Sequence, residues 1–396
     1  MKCKTFHTVR KKIAILSVYG QSGYGVFSVI KSQVFQLLES GYKIDFFTIH
    51  DGNVMNEPEL SVFEIPGNIF GLRDILEYGD YHAVIAHTPP FYALLPSLTS
   101  TSTILYDHGE PPADWFPSER IIREELIRKK QTDILPHVDR VIAISEFIAQ
   151  SIHWPNSIIL PNGADHLWRK YPTRSEKRAN KLPKIFCVSR LGPSERQYKG
   201  LDQLARLAND LSGMVHICVA GRGSESDQRE LNALGLDVIL NPSDRDLAEL
   251  YSNSDAVVSF SKWEGFNLPL VEGGFFGCPG LALNVGAHQE VTPFCFNSYE
   301  ELKLYLMTSS IDSLHQDGER MKTFITRFTW EENVTRLIKI LESLPVRVPE
   351  DKRLPQMTRF RIQIAWWGWK WSRTLGRNLI SALANFFKFA LKRGRA

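Results

Sequence analysis

Glu264 and Glu272 stand either side of seven residues in the stretch WEGFNLPLVEG (263–273). Asn267 can cap a helix whose first turn holds Leu268, Pro269 and Leu270, since asparagine accepts orphan N–H groups and proline tolerates that turn. The amides from Gly265 through Phe266 and Asn267 to Leu268 would then face a ligand, and a helix N-terminus favours negative charge such as phosphate. Carboxylates beside a phosphate are repelled by it, so their natural targets are hydroxyl groups. A ligand bearing both hydroxyls and phosphates satisfies the whole stretch. Spacing alone also fits two solvated acids in a chain with 44 Asp and Glu.

Other residues of the same character lie elsewhere. Arg190 ends the apolar run KIFCVSR, and Lys199 follows nine positions on. An arginine fork and a lysine point charge at one sheet edge can hold a diphosphate, although surface basic residues look the same in sequence. Gly20, Gly23 and Gly25 in GQSGYG open a helix and permit close backbone approach to a phosphate or a sugar, or simply make a turn. The spacing misses the strict dinucleotide pattern. His108 follows STILYD and can hydrogen-bond a substrate hydroxyl or developing charge, or serve the core. GxSxG, HExxH, P-loop and kinase signatures are missing from the sequence, which removes serine hydrolysis, zinc proteolysis and Walker-type phosphoryl transfer.

Short apolar runs alternate with helical periods in both halves, the pattern of parallel sheets covered by helices. Strands are predicted at 12–18, 43–49, 83–87, 102–108, 140–145 and 157–161, with a helix at 26–40. A second series runs at 184–190, 214–221, 236–240, 256–261 and 280–285, after the polar, basic linker 169–184. Two doubly wound domains follow, 1–168 and 169–345, with a separate segment 346–396. In open α/β sheets ligands sit outside the carboxyl ends of strands, where all the residues above fall.

Composition agrees. At 396 residues, 43% hydrophobic and 23% charged, the chain has room for two globular cores. Five scattered cysteines (Cys3, Cys187, Cys218, Cys278, Cys295) form no CxxC pair and read as reduced, cytosolic residues. The basic start MKCKTFHTVRKK precedes an apolar run too short for a signal peptide. The net charge of +3 hides an asymmetry: from Lys352 to Ala396 there are eleven Lys and Arg and no Asp or Glu, against 36 basic and 44 acidic side chains before it. Four of nine tryptophans, Trp366, Trp367, Trp369 and Trp371, crowd into this tail, with apolar residues at helical spacing. Such basic amphipathic helices lie on anionic membranes without crossing them. A helix pair packed on the domains or on a second subunit is the alternative, and no nucleic-acid motif accompanies the basic residues.

Together these residues resemble the retaining group 1 (GT4) glycosyltransferases, over about 12 to 345. EGFNLPLVE is similar to that family's EGFGLPxxE. DRVIAISEF (139–147), LPNGAD (160–165), VSRL with KG at 199–200, VAGRG (219–223) and FTWEENVTRL (328–337) match in order. The resemblance implies a GT-B fold, two Rossmann-like doubly wound α/β domains facing an interdomain cleft, here with the basic tail added. It implies that Arg190 and Lys199 hold the donor diphosphate. Glu264 and the amides of Gly265, Phe266 and Asn267 contact the transferred sugar, with Leu268 beside them, and Glu272 takes the ribose hydroxyls. His108 matches the histidine near the donor sugar, Gly23 and Gly25 the first glycine loop. The base would lie near Arg222 and Asn241 to Ser243. No metal and no cofactor is implied beyond a nucleotide diphosphate sugar as co-substrate. The sequence departs at Asn267, where the family commonly has glycine, and at SGYG and EGGFFGCPG.

The activity so implied is retaining transfer of a hexose from a UDP- or GDP-sugar to a glycan or lipid-linked glycan. The departing diphosphate is stabilised electrostatically, and its phosphate helps to deprotonate the acceptor. The enzyme would be cytoplasmic, peripheral on an anionic membrane through 352–396, without nucleic-acid partners. A sugar-nucleotide epimerase of the same fold and a noncatalytic partner subunit are the alternatives; the tail opposes the first, the intact charged residues the second.

Overall fold

The computed structural model describes residues 11–345 and 347, apart from 22, 52–54, 56, 66–70 and 173–181. The basic segment expected to bind membrane, 352–396, lies outside the described residues. Among the described residues no helix is long and apolar enough to cross a membrane.

Two parallel sheets carry the fold. The first is built from β1 (Lys12–Gly20), β2 (Lys43–Asp51), β3 (Leu60–Glu64), β4 (Ala83–Ala86), β5 (Ser102–Asp107), β6 (Arg140–Ala143) and β7 (Ser157–Ile159), in the order β3-β2-β1-β4-β5-β6-β7. The second contains β8 (Lys184–Val188), β9 (His216–Gly221), β10 (Asp237–Leu240), β11 (Ala256–Ser259), β12 (Gly280–Leu283) and β13 (Phe294–Phe296), in the order β10-β9-β8-β11-β12-β13. Central strands such as β4 and β11 are buried at every residue, as strands covered on both faces must be, which is why they read as unbroken apolar runs. Each sheet grows first to one side of its opening strand and then to the other. That reversal leaves a crevice at the carboxyl ends, between β1 and β4 in one sheet and between β8 and β11 in the other.

The expected strands are all present, shortened by one or two residues at several ends, while β1 and β2 each run two residues further than expected. Two edge strands are additional. β13 has only three residues, and β3 is largely half-buried, so neither leaves a run long enough to recognise.

The last described helix, Trp330–Glu342, differs from expectation in its placement. The sequence reading groups it with residues 169–345, yet it returns to the first sheet's side and packs on the helix Gly25–Glu39. Asn333 is the link: its Oδ1 accepts from Gln33 Nε2 at 3.0 Å and its Nδ2 donates to the Pro161 carbonyl at 2.7 Å. Gln33 also donates to the Tyr106 hydroxyl at 3.0 Å. Beyond the helix, Ser102 Oγ donates to the Pro345 carbonyl at 2.7 Å and Arg347 pairs with Asp139. An amphipathic repeat shows that a helix covers a sheet, but which sheet is decided by these long-range contacts.

The second domain also fastens to the first through Glu290, whose two carboxylate oxygens accept the amides of Glu146 and Phe147, each at 2.8 Å.

Asn333→Ala strands the Pro161 carbonyl and one Gln33 N–H in the interior. Stability should drop by about 2–3 kcal/mol, seen as a lower urea midpoint at unchanged slope; an unaltered midpoint would show that this network does not hold the helix in place.

Candidate active site

The carboxyl edges of the two sheets face a cleft of about 1760 Å³. Its walls bring together Gly23, Gly25 and His108 from the first domain with Arg190, Lys199, Arg222, Asn241, Glu264, Gly265, Phe266, Asn267, Leu268 and Glu272 from the second. Of the residues anticipated from sequence, Ser243 is not in this lining. Its hydroxyl accepts the Asp246 amide at 3.2 Å and donates to the Asp246 carboxylate at 2.7 Å, a capping box that starts the helix Asp244–Ser252.

The cations are positioned by β8 and the short helix after it. Arg190 follows β8, and Lys199 ends the helix Pro193–Lys199. Both are already engaged. Arg190 Nη1 lies 2.8 Å from Glu195 Oε1, and Nη2 donates to the Tyr198 hydroxyl at 2.5 Å. Lys199 Nζ lies 2.6 Å from Glu264 Oε1. Burial alone would raise the Glu264 carboxyl, but the Lys199 ammonium and a hydrogen bond with Ser261 hold it below the ordinary range. Glu264 is therefore the counterion of Lys199 as well as a wall of the cleft.

Asn267 differs from the expected helix cap. It takes a left-handed conformation, φ 67° and ψ 70°, and its side chain makes no cap hydrogen bond. The helix Leu268–Phe275 begins on Pro269 in its first turn instead. Among the described residues, the amides of Gly265, Phe266 and Asn267 donate to no protein atom, so three donors at a helix start line the cleft. Gly265 allows this loop to touch the opposite domain. A Cβ there would come within 2.6 Å of the His108 carbonyl oxygen.

Glu272 is buried four residues into that helix. Tyr251 donates to its Oε2 at 2.7 Å, and His166 Nε2 stands 3.6 Å from Oε1. Burial pushes the carboxyl above its ordinary value, with His166 opposing.

In the first domain Gly23 has φ +91°, as its role in a tight loop requires. His108 follows β5, and His87 follows β4 directly beside it. Their rings share one proton between His87 Nδ1 and His108 Nε2, 3.0 Å apart, and both stack on Tyr106. Burial holds His108 down to about 4 despite Asp107, and His87 lies well below its usual value from burial and from His108. Below them Lys130 bridges Asp107 at 2.9 Å and Glu110 at 3.3 Å.

His87, Tyr198, His166, Tyr251 and Lys130 were not anticipated. His87 carried a usable signal, since it closes the run AVIAH as His108 closes STILYDH. The others reach the site from segments whose local pattern says nothing of it.

Both imidazoles are neutral in the fold and recover values near about 6.5 on unfolding, so the unfolded chain binds more protons as pH falls. The stability they confer is intact above about pH 6.5 and is lost progressively toward about pH 4. Urea titrations across that window should show a shallower loss for His87→Leu/His108→Leu, by up to about 2.7 kcal/mol per pH unit. Parallel profiles would mean that the pair is not buried neutral.

Residues 172–292 match the family model described as glycosyl transferases group 1. No curated protein matches the chain in sequence. Among solved structures, sucrose-phosphate synthase from Thermosynechococcus elongatus is similar at 16% identity, over 84% of this chain and 98% of its own, with a TM-score of 0.68. HepE of Anabaena, solved in complex with UDP and glucose, is similar at 15% identity over 85% and 100%, TM-score 0.69. A glycosyltransferase from Rickettsia africae is similar at 16% identity over 84% and 98%, TM-score 0.64. At these identities the likeness is one of fold. Residues 172–292 thus match the group 1 glycosyl transferases, and the described chain shares the two-sheet fold of these solved structures.

Proposed function

We propose that the chain is a retaining GT4 hexosyltransferase that moves a hexose from a UDP- or GDP-sugar to a glycan or lipid-linked glycan. The observation that carries this reading is the wall of the cleft where Arg190, Lys199, three unpaired amides and the buried Glu272 converge, with His108 opposite.

The diphosphate occupies the cation end. Its charge replaces Glu195 and Glu264 as the partner of Arg190 and Lys199, which frees Glu264 for the sugar. Charge grows on the diphosphate as the glycosidic bond breaks, and two cations with a helix N-terminus already aimed at it need no reorganisation to stabilise it. Glu272, with one oxygen held by Tyr251, has the other for ribose hydroxyls. His108, neutral at physiological pH, exchanges hydrogen bonds with the sugar. Gly23 and Gly25 approach the diphosphate, and Arg222 and Asn241 the base. The acceptor's proton goes to the donor phosphate, and no enzyme nucleophile, metal or cofactor is invoked. The reaction takes place at the cytoplasmic face of a membrane that segment 352–396 holds. The UDP and glucose bound by HepE make UDP-glucose the first donor to test.

A ligand that binds only the native state raises the melting temperature. UDP or GDP with its sugar conjugates should do so here, and a folded sample that responds to neither nucleotide would remove the donor site. Lys199→Ala and Glu272→Ala should each lower turnover by about 100-fold or more at unchanged circular dichroism; turnover like that of the parent in either variant would remove its assigned role.

A further inference from the structure

Asn267 stands where the resembling family commonly has glycine, and its side chain has a built environment. It is only 9% exposed. Its Nδ2 gives both protons inward, to Ser259 Oγ at 2.9 Å and to His288 Nε2 at 2.8 Å. The second contact has one possible sense. His288 Nδ1 lies 2.7 Å from the Leu283 carbonyl, which can only accept, so Nδ1 carries the ring proton and Nε2 a lone pair. Burial keeps this ring neutral although Glu264 favours its charged form. Turning the Asn267 amide over would set Oδ1 against that lone pair, so the surroundings assign the orientation.

With both protons committed, Oδ1 remains. Among the described residues nothing donates to it, and it is not one of the buried polar atoms shut away from solvent. Asn267 lines the cleft next to the unpaired amides of Gly265 and Phe266. Those amides can only donate, whereas Oδ1 can only accept.

The geometry points to Asn267 as a specificity-determining residue whose Oδ1 accepts a hydrogen bond from one hydroxyl of the transferred sugar, with His288 as the positioning residue that holds the amide in that sense. This rests on the reading of the cleft as a donor site. A glycine would offer the sugar backbone donors alone. Asn267 adds an acceptor, and so selects a hexose with a proton to give at one ring position. A site that hydrogen-bonds a substrate hydroxyl discriminates strongly against the analogue that lacks it.

The experiment is calorimetric titration of the full chain with UDP, GDP, UDP-glucose, GDP-mannose and the singly deoxyfluorinated analogues of both sugars, in which C–F cannot donate. The parent protein should bind one analogue about tenfold more weakly than its sugar nucleotide, and Asn267→Gly, whose backbone suits a positive φ, should reduce that ratio to about threefold or less while still binding the free nucleotide. His288→Phe should flatten the ratio likewise, and His288→Gln, whose side-chain oxygen can accept from Nδ2, should restore part of it. The inference is overturned if Asn267→Gly keeps the parent ratios, or if the parent discriminates against no analogue. A folded parent that binds neither UDP nor GDP overturns the donor site itself, and the role of Asn267 with it.

Discussion

The hydrogen bonds of Asn333 to Gln33 and to the Pro161 carbonyl join the end of the described chain to its beginning, across 300 residues in the case of Gln33. Much else depends on that closure. A doubly wound sheet can place reactive groups only along its carboxyl edge, so a site with two walls needs two such edges turned toward each other. The chain crosses between sheets once at the linker and again before Trp330. The second crossing makes the two domains share a core helix, so the cleft is bounded by a double connection.

Within the cleft, charge is stored in pairs. Lys199 with Glu264, Arg190 with Glu195, and Lys130 with Asp107 and Glu110 each keep an ion partly or wholly out of water at tolerable cost. Glu272 differs: among the described residues its oxygens meet the Tyr251 hydroxyl and, at 3.6 Å, His166 in place of a lysine or arginine, and burial raises its carboxyl. The two glutamates of one motif thus differ in kind: Glu264 is held charged by a cation, Glu272 is held by burial. Their differing environments follow from their places, one on the loop beside Lys199 and the other inside a helix that covers β11 and β12.

Much of this was legible in the sequence. Parallel strands buried on both faces leave apolar runs, and the loops after those runs carried most of the residues that now line the cleft. Where sequence reading failed, the reason is nonlocal. Asn267 has every local qualification for a helix cap, but His288 and Ser259, brought to it by β12 and β11, compete successfully for its amide. Ser243, which the resemblance puts near the base, has its hydroxyl engaged in the capping box of the helix it begins. The helix Trp330–Glu342 has a clear amphipathic period, yet its partner is three hundred residues upstream. His87 and His108 become a pair only because β4 and β5 are neighbours in the sheet.

Gly265 has a different kind of importance from the charged residues around it. Its Cα approaches the His108 carbonyl so closely that a single added carbon would lie 2.6 Å from that oxygen. The loop at the start of the helix Leu268–Phe275 is therefore a spacer of minimal thickness between the two domains, and the width of the gap a sugar must fit is set at this point by the absence of one methyl group.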